Sequence, residues 1–409
     1  MALRGVLGPG AGAVGLMVLL ALPVAGGARA EGPAALPDFC QQAADNADSG
    51  RYVAVGDTCV KLNAGVSYSY QAAKQAAGVP RFVNRNGSVS QNTMSQTATA
   101  NTGFELTRQT SLGDFRVTSG AEWSKSTGDG KASGSTYFTG WSVGLGGLTV
   151  GYTGTLMSFW EGSFLTSASS PARSATAIVY EHALTDADKV AIAVESSLPT
   201  SPNADTDLWT FDFSSPVFAM RWRHETEAFT SHVSGIVRRA DFSNSPLLPF
   251  LPNTATSRTG WAASVGMNIP APFIGDSDQV SFQATYAVDA SSYLGTTNDL
   301  VVYQSVIRSV GPTKGWSAVA SYHHDWSEAF ESNVFASYVS VKAELLAAKP
   351  ESDTFRTAVN LFWKPRDRLK LGVEFGYVDI AIEPNGFAGY FNGNSGRSYI
   401  GTFSVSAEL

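Results

Sequence analysis

Ser321, His323 and Asp325 fall at alternate positions of one stretch, and a hydroxyl, an imidazole and a carboxylate in that company are the parts of a hydrolytic triad. Extended-chain spacing argues against the reading. Residues two apart on a strand lie about 7 Å apart at Cα, too far to assume a nucleophile–base bond. The other histidines, His182, His224, His232 and His324, sit in no metal spacing such as His-Glu-x-x-His. Gly144-x-Gly146-Gly147 has the glycines of a phosphate cradle, but alternating stretches flank it on both sides and make it a hairpin turn. No nucleotide fingerprint occurs elsewhere. The expectation is no catalytic residue, no metal site, no cofactor and no enzyme.

The first thirty residues read as an export leader. Arg4 supplies the positive start, an apolar stretch runs from about Val14 to Val24, and Ala28-Arg29-Ala30 fits the small-x-small cleavage rule. The expected division is a signal peptide over 1–30 and one domain over 31–409. Losing Arg4 and Arg29 from the 28 basic residues leaves 26 against 35 acidic ones, a net charge of -9. That balance argues against nucleic-acid binding, which wants a basic face. Cys40 and Cys59 are the only cysteines, and in an exported chain an isolated pair reads as one disulfide. Cys40 stands ten residues past the cut rather than at it, which speaks against a lipid anchor.

What must position these residues is an alternating chain. Leu62, Ala64, Val66, Tyr68 and Tyr70 take one face, with Lys61, Asn63, Gly65, Ser67 and Ser69 on the other. The pattern returns at 115–123, 148–156, 280–289, 371–377 and 399–409. Its polar face is rich in Gly, Ser and Thr and poor in charge, and only 15% of the chain is Asp, Glu, Lys or Arg. A soluble sandwich would put far more charge on its outer face. Past the leader no stretch of 18 apolar residues exists, so a spanning helix is excluded and a closed barrel is the remaining way across a bilayer. Short turns near 111–113, 146–147, 184–188, 225–228, 270–278, 325–329 and 365–368 alternate with long links at 71–100, 125–133, 158–173, 198–205, 241–257, 291–313, 342–353 and 381–396. Seven turns and eight links define a 16-stranded antiparallel transmembrane β-barrel with both termini on one side. The stretch 300–310 also looks strand-like; even parity assigns it to a loop.

Several segments then resemble the alphaproteobacterial porin family. They are Cys40 with Gly50-Arg51-Tyr52-Val53-Ala54-Val55-Gly56-Asp57-Thr58-Cys59-Val60-Lys61, Gly147-Leu148-Thr149-Val150-Gly151-Tyr152 with Ser158-Phe159-Trp160, and the run from Gly260 to Leu294. The resemblance implies a homotrimeric, water-filled pore of the Gram-negative outer membrane, seated among lipid and lipopolysaccharide and passing small hydrophilic solutes and ions. It also implies a third loop folded inward, with acid on that loop facing base across the lumen. From facing alone, the charges expected at the constriction are Glu161, the only acid of 158–173, together with Arg116, Glu122, Arg173, Arg221, Arg223 and Lys61. Alternative readings are a substrate-selective channel marked by lumenal Trp160 and Phe164, a non-conducting adhesion or structural barrel, and a barrel hydrolase dependent on His323.

Overall fold

In the computed structural model each alternating stretch is a strand. The structure describes residues 40, 51–75, 92–128, 131–160, 162–171, 174–196, 216–242, 256–272, 274–275, 277–295, 313–343, 351–383 and 396–408. Seventeen strands run in chain order: β1 (Arg51–Val55), β2 (Thr58–Gln75), β3 (Asn92–Thr110), β4 (Gly113–Gly128), β5 (Lys131–Leu145), β6 (Leu148–Gly154), β7 (Ser174–Ala183), β8 (Asp188–Glu195), β9 (Val217–Glu225), β10 (Thr230–Phe242), β11 (Thr256–Pro270), β12 (Gln279–Val288), β13 (Thr313–Ser327), β14 (Phe330–Ala343), β15 (Glu351–Arg366), β16 (Leu369–Glu383) and β17 (Gly396–Glu408).

From β2 onward every strand pairs antiparallel with the next, and β17 returns to pair with β2 from Ser398↔Gln75 to Glu408↔Gly65. The ring is therefore closed at sixteen strands, β2 to β17. Closure pairs the two edges that an open sheet would expose to lipid. β1 lies outside that count. It pairs with the first residues of β2, from Arg51↔Leu62 to Val55↔Thr58, along the part of β2 that β17 does not reach. The disulfide Cys40–Cys59 ties the segment preceding β1 to β2, as the isolated pair predicts.

Parity sorts the two faces. On β9 the odd positions Val217 and Ala219 are buried, while Phe218, Met220 and Trp222 are exposed. The same split puts Phe282 and Tyr286 outside and Ser281, Gln283 and Thr285 inside on β12. The outer face thus carries bulky apolar and aromatic side chains and the inner face small and polar ones, the inverse of a soluble protein. Buried apolar residues gather on the inner face instead: Ala191, Ala193, Ala219, Ile236, Ala262 and Ala287 pack with Leu156, Met157, Tyr293 and Leu294. Leu156 is a correction to the alternating pattern. β6 stops at Gly154, and Leu156 joins this inner cluster rather than the outer face.

The seven short turns fall where expected. Gly146 needs its hydrogen: φ is +57°, and a Cβ there would lie 2.8 Å from the Leu112 carbonyl oxygen. Five links are shorter than expected, the first two most of all, while the link expected at 198–205 runs from the end of β8 at Glu195 to the start of β9 at Val217. β2 and β3 extend to leave only 76–91, and β4 and β5 leave only 129–130. Apolar alternation marks where a strand meets hydrocarbon, but the backbone ladder continues into polar Ser/Thr/Gly stretches, as in the pairs Ser124↔Ser135 and Thr127↔Ala132. The stretch 300–310, the leader over 1–30 and the side chains of Glu161 and Arg173 lie outside the described residues.

Candidate functional site

The connection from β6 to β7 is the third of the long links, and its contacts follow the inner face in order. Glu195 on β8 accepts hydrogen bonds from the Thr155 hydroxyl at 2.8 Å and the Leu156 N–H at 3.0 Å. Phe159 lies tilted against His232 of β10, with ring centroids 4.9 Å apart, and covers Gly266 of β11, where a Cβ would fall 2.3 Å from the ring. Gln283 on β12 holds two backbone groups, accepting from the Trp160 N–H at 2.9 Å and donating to the Met157 carbonyl at 2.7 Å. The Trp160 indole N–H donates to Ser321 of β13 at 2.8 Å. Phe164 meets Phe335 of β14 edge to face. Asn360 of β15 donates to the Ser163 carbonyl at 2.7 Å. Glu374 of β16 accepts from the N–H groups of Leu165 at 2.8 Å and Thr166 at 2.6 Å. The chain then returns, and the Ser169 N–H donates to Ser337 of β14 at 3.1 Å.

Contacts of this link thus reach inner-face residues of strands from β8 to β16. A connection needs partners for its own N–H and C=O groups once it leaves water, and here wall side chains supply them. The link after β12 joins the same contact: the Tyr293 hydroxyl donates to Glu195 at 3.0 Å.

The rest of the wall carries charge. On β3 and β4, Arg116 pairs with Glu105 at 3.1 Å, and Lys61 stands opposite Glu105 in the β2–β3 register. A cavity of about 530 Å³ is lined there by Asn63, Asn101, Glu105, Thr118, Glu122 and Glu408 among others. In a ring of sixteen, β9 stands eight strands from β17 and β10 eight from β2, so β9 and β10 face this arc across the barrel. On β9, Arg221 bonds Glu181 of β7, and Arg223 lies 2.6 Å from Glu225 without hydrogen-bond geometry at its Nε. Lys189 of β8 donates to the same Glu225 at 2.8 Å.

Of the residues expected to set a constriction, Lys61, Arg116, Glu122, Arg221 and Arg223 all take inner-face positions. They form two groups on opposite arcs rather than one ring. The triad residues turn to other partners: the Ser321 hydroxyl accepts from Trp160, while His323 bonds Asn333 at 2.8 Å and lies 3.4 Å from Asp325. A Ser–His hydrogen bond does form at a pair the sequence did not single out: Ser234 and His232, 2.7 Å apart and buried beneath Phe159. One group of three possible metal ligands converges among the described residues, His323, Asp325 and Glu331, but both Glu331 oxygens are engaged, by Lys364 and by Lys370. Sequence reasoning missed Glu195, Gln283, Asn360 and Glu374. Their only signal was an inward-facing parity that dozens of solvated residues share.

Residues 49–396 match a family described as a porin subfamily. This chain belongs to the porin family. No curated protein matches the sequence. Among solved structures, this porin is similar to the outer membrane channel DcaP of Acinetobacter baumannii, at 14% identity and a TM-score of 0.61, covering 86% of this chain and 97% of that one. It is also similar to OmpT of Vibrio cholerae, at 9% identity and a TM-score of 0.51, covering 88% and 100% of the two chains. OprB of Pseudomonas putida follows at 10% identity and a TM-score of 0.50, with 85% and 94% covered. At such identities the likeness is one of fold. Family and barrel together make this porin a multi-pass β-barrel of the outer membrane with a channel fold.

Proposed function

We propose that this porin is a passive diffusion channel for small hydrophilic solutes and ions, with the β6–β7 connection folded inward as its constriction. One observation carries the reading. The connection's hydrogen bonds attach it to the inner wall from β8 to β16, while the arc around β2 to β5 keeps Lys61, Arg116, Glu105 and Glu122 on its inner face. Water-filled space between an attached loop and a charged arc is a path for solutes, and its lining charges set ion preference. Glu161 and Arg173 belong to that loop and join the proposed constriction set with Lys61, Arg116, Glu122, Arg221 and Arg223. A general channel is favoured over a selective one because Trp160 and Phe164 pack against each other and on Phe335, leaving no free aromatic platform there for a solute. A cleaved leader over 1–30 and the 31–409 mature domain, read from the leader pattern, and trimeric assembly and the alphaproteobacterial subgroup, by resemblance, complete the proposal.

The test is single-channel recording of the refolded mature protein in planar bilayers. Discrete conductance steps, and liposome uptake of sugars that falls with solute size, are expected. A bilayer that stays sealed at all voltages rejects the channel. Saturable block by one solute class replaces the general reading with the selective one.

A further inference from the structure

We propose that Glu374 is the positioning residue of this channel: a buried carboxylate, aimed by a row of side chains from neighbouring strands, that fixes the tip of the β6–β7 connection. The inference rests on the reading of that connection as the constriction.

The row is set by register. His323, Asn333, Asn360 and Glu374 are direct cross-strand partners on β13, β14, β15 and β16, all on the inner face. Amide orientation in such a row is usually an assignment, but here one backbone group decides it. The Asn333 N–H donates to Asn360 Oδ1 at 3.0 Å, so that atom is an oxygen. Asn360 Nδ2 is then the donor facing the Ser163 carbonyl at 2.7 Å and Glu374 Oε2 at 3.1 Å, both of which are acceptors. Asn333 must present its own Nδ2 to Asn360 Oδ1, at 2.9 Å, and its oxygen to His323 Nδ1, at 2.8 Å. His323 Nδ1 therefore carries a hydrogen. Every bond in the row donates toward Glu374, and bonds aligned in one sense polarise and strengthen each other.

The recipient is suited to the load. Glu374 is 5% exposed, and no ion pair to it occurs among the described residues. Its two oxygens accept from two successive peptide N–H groups, Leu165 and Thr166, as well as from Asn360. A carboxylate only accepts, so it meets three donors without conflict. A glutamine of the same shape cannot. Its NH₂ must face either the Thr166 N–H or, on the other side, both the Leu165 N–H and the Asn360 NH₂. Thr166 also closes over Gly376, where a Cβ would lie 2.9 Å from its hydroxyl oxygen, so the tip sits against a wall with no side chain to prop it. The connection's base has its own anchor in Glu195. Losing Glu374 frees the tip and leaves the base in place.

The first arm uses the unaltered protein. Hydrogen exchange of the peptide containing Leu165 and Thr166 should run at least about tenfold slower than in an unstructured loop, because both amides bond a buried carboxylate. Exchange at the free-loop rate overturns the proposal, whatever the protein conducts. The second arm compares E374Q, N360D and the double variant in planar bilayers. Each single variant should raise open-channel noise and shift mean conductance outside the wild-type distribution, with the heat-modifiable gel shift of the barrel unchanged. The double variant should recover only part of the wild-type trace: the carboxylate it carries at position 360 can accept from the new amide at position 374, but the Ser163 carbonyl then loses its donor and the Leu165 N–H its acceptor. Single variants indistinguishable from wild type in a conducting protein overturn the positioning role and leave the channel intact. A wild type that never conducts sinks the channel reading alone, and the exchange arm then decides the clamp. A variant that does not insert is likewise decided by exchange in the unaltered protein.

Discussion

At the scale of single residues, inner-face polar groups are anchors wherever the connection touches them. Glu195 is fully buried and accepts from Thr155, Leu156 and Tyr293. Glu195→Ala strands those donors, at a cost of about 1–3 kcal/mol, seen as a lower urea midpoint of the lipid-refolded barrel. Gly266→Ala tests the opposite face of the connection. A Cβ there would sit 2.3 Å from the Phe159 ring, so the ring must move off His232. The expected outcome is an intact barrel with altered conductance; unchanged conductance would mean that Phe159 does not seat the connection. The facing of these residues was legible in the sequence, because a two-residue period fixes it. Their partners were not, because the groups they hold are backbone atoms of a segment far away in sequence. The Ser–His pairs make the same point. Side-chain lean brings Ser234 to His232, whereas Trp160 takes Ser321, and neither outcome follows from Cα spacing.

At the scale of elements, the turn between β11 and β12 is sensitive to acid. Asp278 closes it, accepting from the Tyr322 hydroxyl and from His324 Nδ1 at 2.8 Å. Burial pushes the Asp278 carboxyl up, but hydrogen bonds from Tyr322 and His324 and the charge of His324 outweigh it and hold the group below the ordinary aspartate value. A carboxyl depressed in the folded state adds stability that is complete above its unfolded value and is lost as pH falls through the folded one. The gap in urea midpoint between wild type and Asp278→Asn should therefore be fully open above the unfolded aspartate value. It should close from about pH 4, the unfolded aspartate value, downward. A gap that widens in acid would put the sign wrong. Turn positions were readable from Gly, Pro and Asp clusters, and strand ends were not. The ladder between β4 and β5 runs on through Ser and Thr that have no lipid to meet, so hydrophobic patterning stops before hydrogen bonding does. The short β1 was hidden for a related reason: five residues pair with a stretch of β2 that the ring leaves uncovered, a fact of closure rather than of local pattern.

At the scale of the whole molecule, the inner surface is electrically divided, and that division gives a prediction about ions. Arg221 and Arg223 stand on β9, eight strands from Glu408 on β17 and six and five strands from Glu105 on β3 and Glu122 on β4. Arg221 already bonds Glu181, and Arg223 is paired with Glu225. Removing Arg221 subtracts a positive charge and takes the guanidinium from Glu181, while Glu225 keeps Lys189 when Arg223 is removed. Arg221→Ala with Arg223→Ala should shift the reversal potential in a salt gradient toward cation preference. The effect should depend on salt. The screening length is roughly 8 Å at 0.15 M and 3 Å at 1 M, so wall charges reach the path in dilute electrolyte and lose it in concentrated electrolyte. Reversal potentials measured at both strengths separate this field from a change of pore width, which would alter conductance at either strength. No shift in dilute electrolyte would mean that the arginines lie off the conducting path and that the acidic arc alone decides which ions pass, and a shift equal at both strengths would assign the effect to pore width.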